Sequence, residues 1–191
     1  MEGFTAVESA GCLIPSPVVV VGTYKDDGSP NFAAGAWAGT SCSSPQIISV
    51  SFREATLTHS LIRARREFTV NLCSAERVAQ VDYFGNNSGR DVDKAAHVGF
   101  HVKRASQVNA PYCTEFKLVY QCKLVLEKKV GSHTIFYGEV VVVSAAEDVV
   151  TANQPDILKI DPLIYSDYTA AYYRCAKEKV GDAFSVYRSV G

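Results

Sequence analysis

Apolar and polar residues alternate along much of this chain, the period of two that marks a strand with one buried face. Residues 18–24 (VVVVGTY) form a β-rich run. The polar stretch after it contains Asp27-Gly28, a strong turn signal, and residues 31–37 return as the second arm of a hairpin. Residues 46–53 (QIISVSFR) alternate again, and 67–73 (EFTVNLC) read as a further strand. Over residues 116–127, Phe116, Leu118, Tyr120, Cys122, Leu124 and Leu126 share one face, with Lys117, Gln121, Lys123 and Glu127 on the other. Gly131-Ser132 makes a turn, and 133–144 pair back as a long strand. Two segments switch to helical spacing. Residues 56–66 carry Leu57, Leu61 and Ala64 on one side and gather Arg63, Arg65 and Arg66 near the C-terminal end, where cations suit the helix dipole. Ser74 can cap a second helix running to about Tyr83, with Glu76 in its first turn. Residues 86–93 (NNSGRDVD) are a polar loop, and the tyrosine-rich residues 162–190 read as weakly helical.

Half-buried strands joined by hairpins, with helices inserted between some of them, predict a mainly β (α+β) fold: an antiparallel sheet closed into a barrel with a few peripheral helices. Residues 1–191 show no repeat, low-complexity tract or linker and read as one domain. A dinucleotide-binding parallel sheet is disfavoured, since no GxGxxG follows a strand.

Composition narrows the partners. Charged residues make up 20% of the chain and the net charge is -1, with no charge block, so neither nucleic acid nor an anionic membrane is expected as a partner. The longest aliphatic runs, 18–21 and 140–143, are of strand length. The first residues (MEGFTAVESAG) lack a basic region followed by a long apolar stretch, so no secretory signal is expected and a cytoplasmic location is. The six cysteines contain no CxxC pair and are expected as free thiols. Neither they nor the four histidines cluster at zinc-ligand spacing, so no metal is expected.

The candidate chemistry lies in SVSFREATLTHS, residues 49–60. Ser51 and Arg53 share a strand face, with Ser49 and Ile47 behind them, and Thr56 and Thr58 fall where the helix begins. A helix N-terminus offers unpaired N–H groups and partial positive charge. Adding a guanidinium and hydroxyls makes a phosphate site; a solvated strand face with a threonine cap has the same residues. Upstream, Trp37, the only tryptophan, opens a run of small polar residues, 38–45. Such a run admits a flat heteroaromatic ring to the backbone, and it also describes a serine-rich surface loop with its tryptophan in the core.

Taken in order, these motifs resemble one family. A DG hairpin precedes N-x-x-x-x-x-W and a Ser/Thr loop ending in Pro. Then come V-S-x-R-x-x-x-T, FTVN, DYFG-x-x-S-G-R-D-x-D-K and a G-x-H-T-x-F-x-G-E-V strand. The series is similar to the flavin reductase-like proteins of the FMN-binding split barrel, in particular their flavoredoxin branch, from about Ile14 to about Phe184. The resemblance implies a six-stranded antiparallel split barrel forming a homodimer, with noncovalent FMN near the subunit interface. Carried over by position, Ser51, Arg53 and Thr58 would hold the 5′-phosphate. Asn31, Trp37, Thr40, Ser41 and Cys42 would line the isoalloxazine ring and ribityl chain, with Asn71 supporting the floor. Ser88, Gly89, Arg90, Asp93 and Lys94 would lie near the cofactor or the partner subunit. His133 would sit where a nicotinamide or other substrate docks, and Tyr165, Tyr172 and Tyr173 would cover the ring. Two activities follow: an oxidoreductase fed by NADH or NADPH, or an electron-transfer protein fed by a protein donor.

Overall fold

A computed structural model describes residues 3–7, 12–175 and 178–186. One antiparallel sheet organises it. We label its strands β1 (Val19–Tyr24), β2 (Pro30–Gly35), β3 (Ala38–Ser43), β4 (Gln46–Arg53), β5 (Glu67–Leu72), β6 (Leu118–Val130) and β7 (His133–Ala145). Their order in the sheet is β2-β1-β5-β6-β7-β4-β3. The two end strands, β2 and β3, are joined in sequence by only Ala36 and Trp37, so the sheet rolls until its ends meet at that link: a split barrel. No helix among the described residues is long and apolar enough to cross a membrane.

The valines of β1 are buried on both faces because period-two alternation feeds two cores. Val19 and Val21 point into the barrel with Val50, Phe68, Val70 and Phe136. Val18 and Val20 point out of it, under helix α2 (Val78–Asn86), and meet Phe32, Phe84, Phe100 and Phe116. In that outer core Phe84 lies 5.9 Å from Phe32 and 5.8 Å from Phe100, ring centre to ring centre, in tilted and edge-on arrangements. This cluster clamps α2 beside β2.

Helix α1 (Leu57–Arg65) begins where the sequence predicts: the Thr56 hydroxyl accepts the His59 N–H, and Arg66 closes the helix in the left-handed region. The second helix starts later than expected and ends later. Ser74 caps a short 3-10 turn, Ala75–Arg77, and the α-helix then runs on to Asn86, into the predicted polar loop. Three elements carry no clear sequence signal: the one-turn helix α3 (Lys94–His97), a ribbon of Val102–Arg104 against Pro111–Cys113, and the segment leading to Ile157–Ile160.

Three expectations are corrected. Residues 38–43 form an edge strand, because the chain between Trp37 and Pro45 pairs with β4, with a bulge between Thr40 and Cys42. Gln121 is 2% exposed, since β6 is covered on both faces there and the Gln121 amide oxygen accepts the Gln107 N–H. Residues 163–174 are a tyrosine hairpin, β8 (Leu163–Ser166) and β9 (Ala171–Arg174); β8 also pairs with Ser16–Pro17. Of the segment read as weakly helical, residues 176–177 and 187–190 lie outside the described residues.

Close packing where β1 meets the ribbon supplies a stability test. A Cβ on Gly22 would lie 2.2 Å from the Pro111 carbonyl oxygen and 2.6 Å from Thr69 Oγ1, whereas nothing lies within 4 Å of one on Gly39. Gly22→Ala is expected to lower unfolding free energy by about 1–3 kcal/mol. Gly39→Ala is expected to change it by less than about 0.5 kcal/mol. Urea titrations of the two variants check the contrast.

Candidate functional site

The strand β4 sets the geometry. Val50 and Phe52 face the barrel interior, so Ser49, Ser51 and Arg53 face outward. Register with β7 and β6 arranges them in rows: Arg53, His133 and Val130; Ser51, Ile135 and Lys128; Ser49, Tyr137 and Leu126. The chain turns sharply after Arg53, where the Thr56 N–H and Oγ1 both donate to the Arg53 carbonyl, at 3.0 and 2.8 Å. That turn brings the end of β4 and the start of α1 to one cavity of about 330 Å³, shared by Asn31, Arg53, Thr58, Ser88, Arg90 and Lys94.

Four elements lock these side chains. Thr58 is buried, and its Oγ1 accepts from Asn31 Nδ2 at 2.9 Å; the same amide donates to Thr23 at 3.1 Å. Gly89 packs against Asn31 so closely that a Cβ would fall 2.1 Å from Asn31 Oδ1. Arg90 donates to the Ala55 carbonyl at 3.0 Å, tying the 88–93 loop to the β4–α1 turn. Lys94 is only 4% exposed, and its ammonium donates to the Phe84 and Asn87 carbonyls at 2.8 and 2.9 Å. Burial pushes the Lys94 pKa down to about 8.

The charge balance is one-sided. Arg53, Arg90 and Lys94 border the cavity, and among the described residues none of them pairs with a carboxylate. The first-turn N–H groups of α1 have no intrahelical acceptors and add partial positive charge at Leu57 and Thr58. Such an arrangement receives an anion with several oxygens.

The cavity continues. A second one, of about 350 Å³, shares Ala34, Gly85 and Asn86 with it. Its floor is Ala34, Gly35 and Ala36, and Tyr165 and Tyr172 wall it. The Tyr172 hydroxyl donates to Asp82 on α2 at 2.8 Å; burial, and then this hydrogen bond, push the phenol up to about 12. A third, of about 280 Å³, meets the second at Ala36 and contains Trp37, Pro15 and Cys12. The three make one trough along the free edge of β2, cationic at one end and aromatic at the other.

The structure therefore separates the predicted site residues into groups. Asn31, Arg53, Thr58, Ser88, Arg90 and Lys94 converge on the cationic end; Tyr165 and Trp37 line the trough farther along. Ser51 does not line it, because alternation turns its side chain to the outer sheet face; its N–H donates to the Trp37 carbonyl at 2.9 Å. Asn71 lies in the core, 0% exposed, donating to the Val20 carbonyl and to Thr69, and does not reach the trough. Tyr173 lies half-exposed beside Thr169, its hydroxyl 3.0 Å from Thr169 Oγ1. Asp93 caps α3 through the Ala96 N–H. Thr40 and Ser41 are exposed on the edge strand, and Cys42 Sγ donates to the Ser44 carbonyl. His133 stands beside Arg53 with its Nδ1 2.9 Å from Ser132 Oγ; burial and the Arg53 charge lower its pKa, so the imidazole is neutral at pH 7. Sequence reasoning missed the floor residues 33–36, Gly85 and Asp82. Small residues on a strand and a helix read as packing, and only the position of α2 beside β2 turns them into a surface.

Comparison with known proteins agrees with this geometry. The structure superimposes on the flavoredoxin of Desulfovibrio vulgaris (Miyazaki F) with a TM-score of 0.87 and 38% identity, covering 94% of this chain and 98% of that one. An uncharacterised protein of Archaeoglobus fulgidus is 30% identical over 140 residues, 73% of this chain and 76% of its own length. The high molecular weight rubredoxin of Moorella thermoacetica is 32% identical over 100 residues, 51% of this chain and 42% of that protein. The profile described as the flavin reductase like domain matches residues 10–173, and the chain belongs to that family.

Proposed function

We propose that this chain holds FMN noncovalently in the trough and moves hydride or electrons through it. The observation that carries this reading is the convergence of Arg53, Arg90 and Lys94 on one cavity at a helix N-terminus with no carboxylate to balance them. A phosphate monoester brings a charge of about −2 and three acceptor oxygens, which match that deficit. Beyond the phosphate, the small residues 34–36 leave room for a ribityl chain, and Tyr165, Tyr172 and Trp37 offer apolar walls to a flat ring. Bound FMN would supply the redox chemistry.

The chain's own groups would do the rest. Arg53, Arg90, Lys94 and Thr58 would anchor the phosphate. Asn31, fixed through Thr23 and Thr58, would hold the wall between phosphate and ribityl chain. The outer edge of β3 has no neighbouring strand in the sheet. Its N–H groups at residues 40–43 could donate to the polar edge of the ring and stabilise negative charge there, in the manner of an oxyanion hole. His133, neutral and in the same row as Arg53, would face the substrate side, where a nicotinamide docks. Homodimerisation belongs to the same reading. The outward rows of β4, β7 and β6 present Ile135 and Tyr137 half-buried and Leu126 and Val130 more than half exposed, among Ser49, Ser51, Arg53, Lys128 and His133, a mixed face whose apolar part a second copy would cover.

A second reading is an electron-transfer protein fed by a protein donor without nicotinamide turnover. The 38% identity to a flavoredoxin and the match to a rubredoxin favour it. Anaerobic stopped-flow separates the two: bleaching near about 450 nm within seconds of adding NADH or NADPH is expected of the reductase, and an unchanged spectrum is expected of the carrier.

Two further outcomes are expected. Arg53→Ala weakens FMN binding by about 1–3 kcal/mol in fluorescence titration, the cost of one charge-assisted contact; unchanged affinity removes Arg53 from the phosphate site. FMN affinity also depends on pH with two limbs. Lys94 is charged below about 8 and neutral above, so affinity falls as pH rises through that value. It also falls below about 6, where a phosphate monoester loses its second charge. Lys94→Met is expected to flatten the upper limb and leave the lower one, which titration between pH 5 and 10 checks.

A further inference from the structure

A separate cavity of about 330 Å³ opens on the far side of the 88–93 loop, bounded by Tyr24, Lys25, Asp26, Arg65, Arg104 and Asn109. It shares no residue with the trough, yet it adjoins it, because Lys25 Nζ donates to the Gly89 carbonyl at 3.3 Å.

Its two arginines are prepared differently. Arg65, in the last turn of α1, is fixed by its own fold. Nε donates to the Tyr24 carbonyl at 3.2 Å, and one terminal nitrogen donates to the Lys25 carbonyl at 2.6 Å and to Asp26 Oδ1 at 2.8 Å. The other terminal nitrogen makes no hydrogen bond among the described residues, so a guanidinium already held in place keeps a donor to offer. Arg104 comes from the Val102–Arg104 ribbon on the opposite wall, and its guanidinium has no hydrogen-bond or ion-pair partner among the described residues. The acids nearby are Asp26, already paired with Arg65 and almost fully exposed, and Glu67, whose carboxylate accepts the Asn109 N–H at 2.9 Å. Lys25, Arg65 and Arg104 outnumber them. Tyr24 lines the same cavity, half-buried, its phenol close enough to Arg104 to feel that charge.

A partly exposed aromatic ring in a cavity with guanidinium groups stacks a purine, and arginine pairs recognise a phosphate monoester by charge and by fork geometry. A volume of about 330 Å³ lies at the low end for ligand pockets, enough for one nucleoside phosphate and too small for a dinucleotide. The geometry points to a second anion site, which takes the adenosine 2′-phosphate end of NADPH through Arg104 and Arg65 with the purine on Tyr24. The choice of NADPH among nucleotide monoesters rests on the oxidoreductase reading above; the anion site itself does not.

Isothermal titration with 2′,5′-ADP, 5′-ADP and inorganic phosphate tests the assignment. The expected result is that 2′,5′-ADP binds at least about tenfold more tightly than either 5′-ADP or phosphate. Arg104→Ala abolishes that preference while FMN uptake, followed by absorbance, stays unchanged. Arg104 is exposed and bears no structural contact, so the variant is expected to fold, and a circular dichroism melt matching the parent confirms it. Arg53→Ala serves as the converse control: it weakens FMN binding and leaves the 2′,5′-ADP preference intact. Equal binding of 5′-ADP and 2′,5′-ADP, no binding at all, or an unchanged preference in Arg104→Ala overturns the assignment. Phosphate matching 2′,5′-ADP also overturns it, by reducing the cavity to an unselective anion site. Loss of the FMN reading shows separately, as failure of the parent protein to take up FMN.

Discussion

Everything else in this molecule is arranged around an electrostatic imbalance: three cationic side chains meeting at one helix end with no acid among them. Solvent screens the exposed Arg53 and Arg90, but Lys94 is buried, so the chain must hold that charge in place by other means. It does so with backbone carbonyls. Lys94 is pinned by those of Phe84 and Asn87, and Arg90 by that of Ala55. The Phe84 and Asn87 carbonyls, on α2 and just after it, are held in turn by the aromatic cluster that locks α2 against β2, so the phenylalanines of the outer core support the Lys94 end of the site. A cationic cavity with no acid beside it suits an anion, which is why the imbalance is better evidence for a ligand than the size of any cavity.

The same logic shows where the sequence was legible. The strand-to-helix junction at 53–58 is local, so its spacing, its threonine cap and its arginine could all be read from a dozen residues, and Arg53 and Thr58 do reach one cavity. Ser51 shows the limit of that reading. Sharing a face with Arg53 was correct, but the face looks outward, and only the turn after Arg53 swings its neighbours into the cavity. Lys94 came into view through the resemblance of the SGRDVDK stretch, while its burial and its low pKa depend on α2 and could not be read from spacing. Asn71 fell the other way. The resemblance of the FTVN stretch implies a place at the floor of the site, and a strand residue satisfied by the backbone is the other reading; here the amide donates to the Val20 carbonyl inside the core.

Nonlocal pairing explains the remaining misses. Residues 38–43 are small and polar, which is loop composition, and they become a strand only because β4 offers a partner edge. The tyrosine hairpin of 163–174 is likewise made by pairing with Ser16–Pro17, contributed by the other end of the chain. Both segments border the trough or carry proposed ring contacts. The residues at the aromatic end of the trough are therefore those that sequence describes worst, and those at its cationic end are those it describes best.

That division has a chemical reason. A phosphate is recognised by formal charge and by a helix end, both of which are written locally in residue type. The rest of the trough is made by what is missing: side chains short enough, at Ala34, Gly35, Ala36 and Gly85, to leave a slot between two elements that happen to run side by side. Absence of volume has no signature until the elements are placed. The walls Tyr165, Tyr172 and Trp37 can consequently change without disturbing the charge balance at the other end, because the shared residues Ala34, Gly85 and Asn86 carry no charge. Under the proposed reading, the cofactor's anchor and its reaction surface are therefore separable parts of one trough.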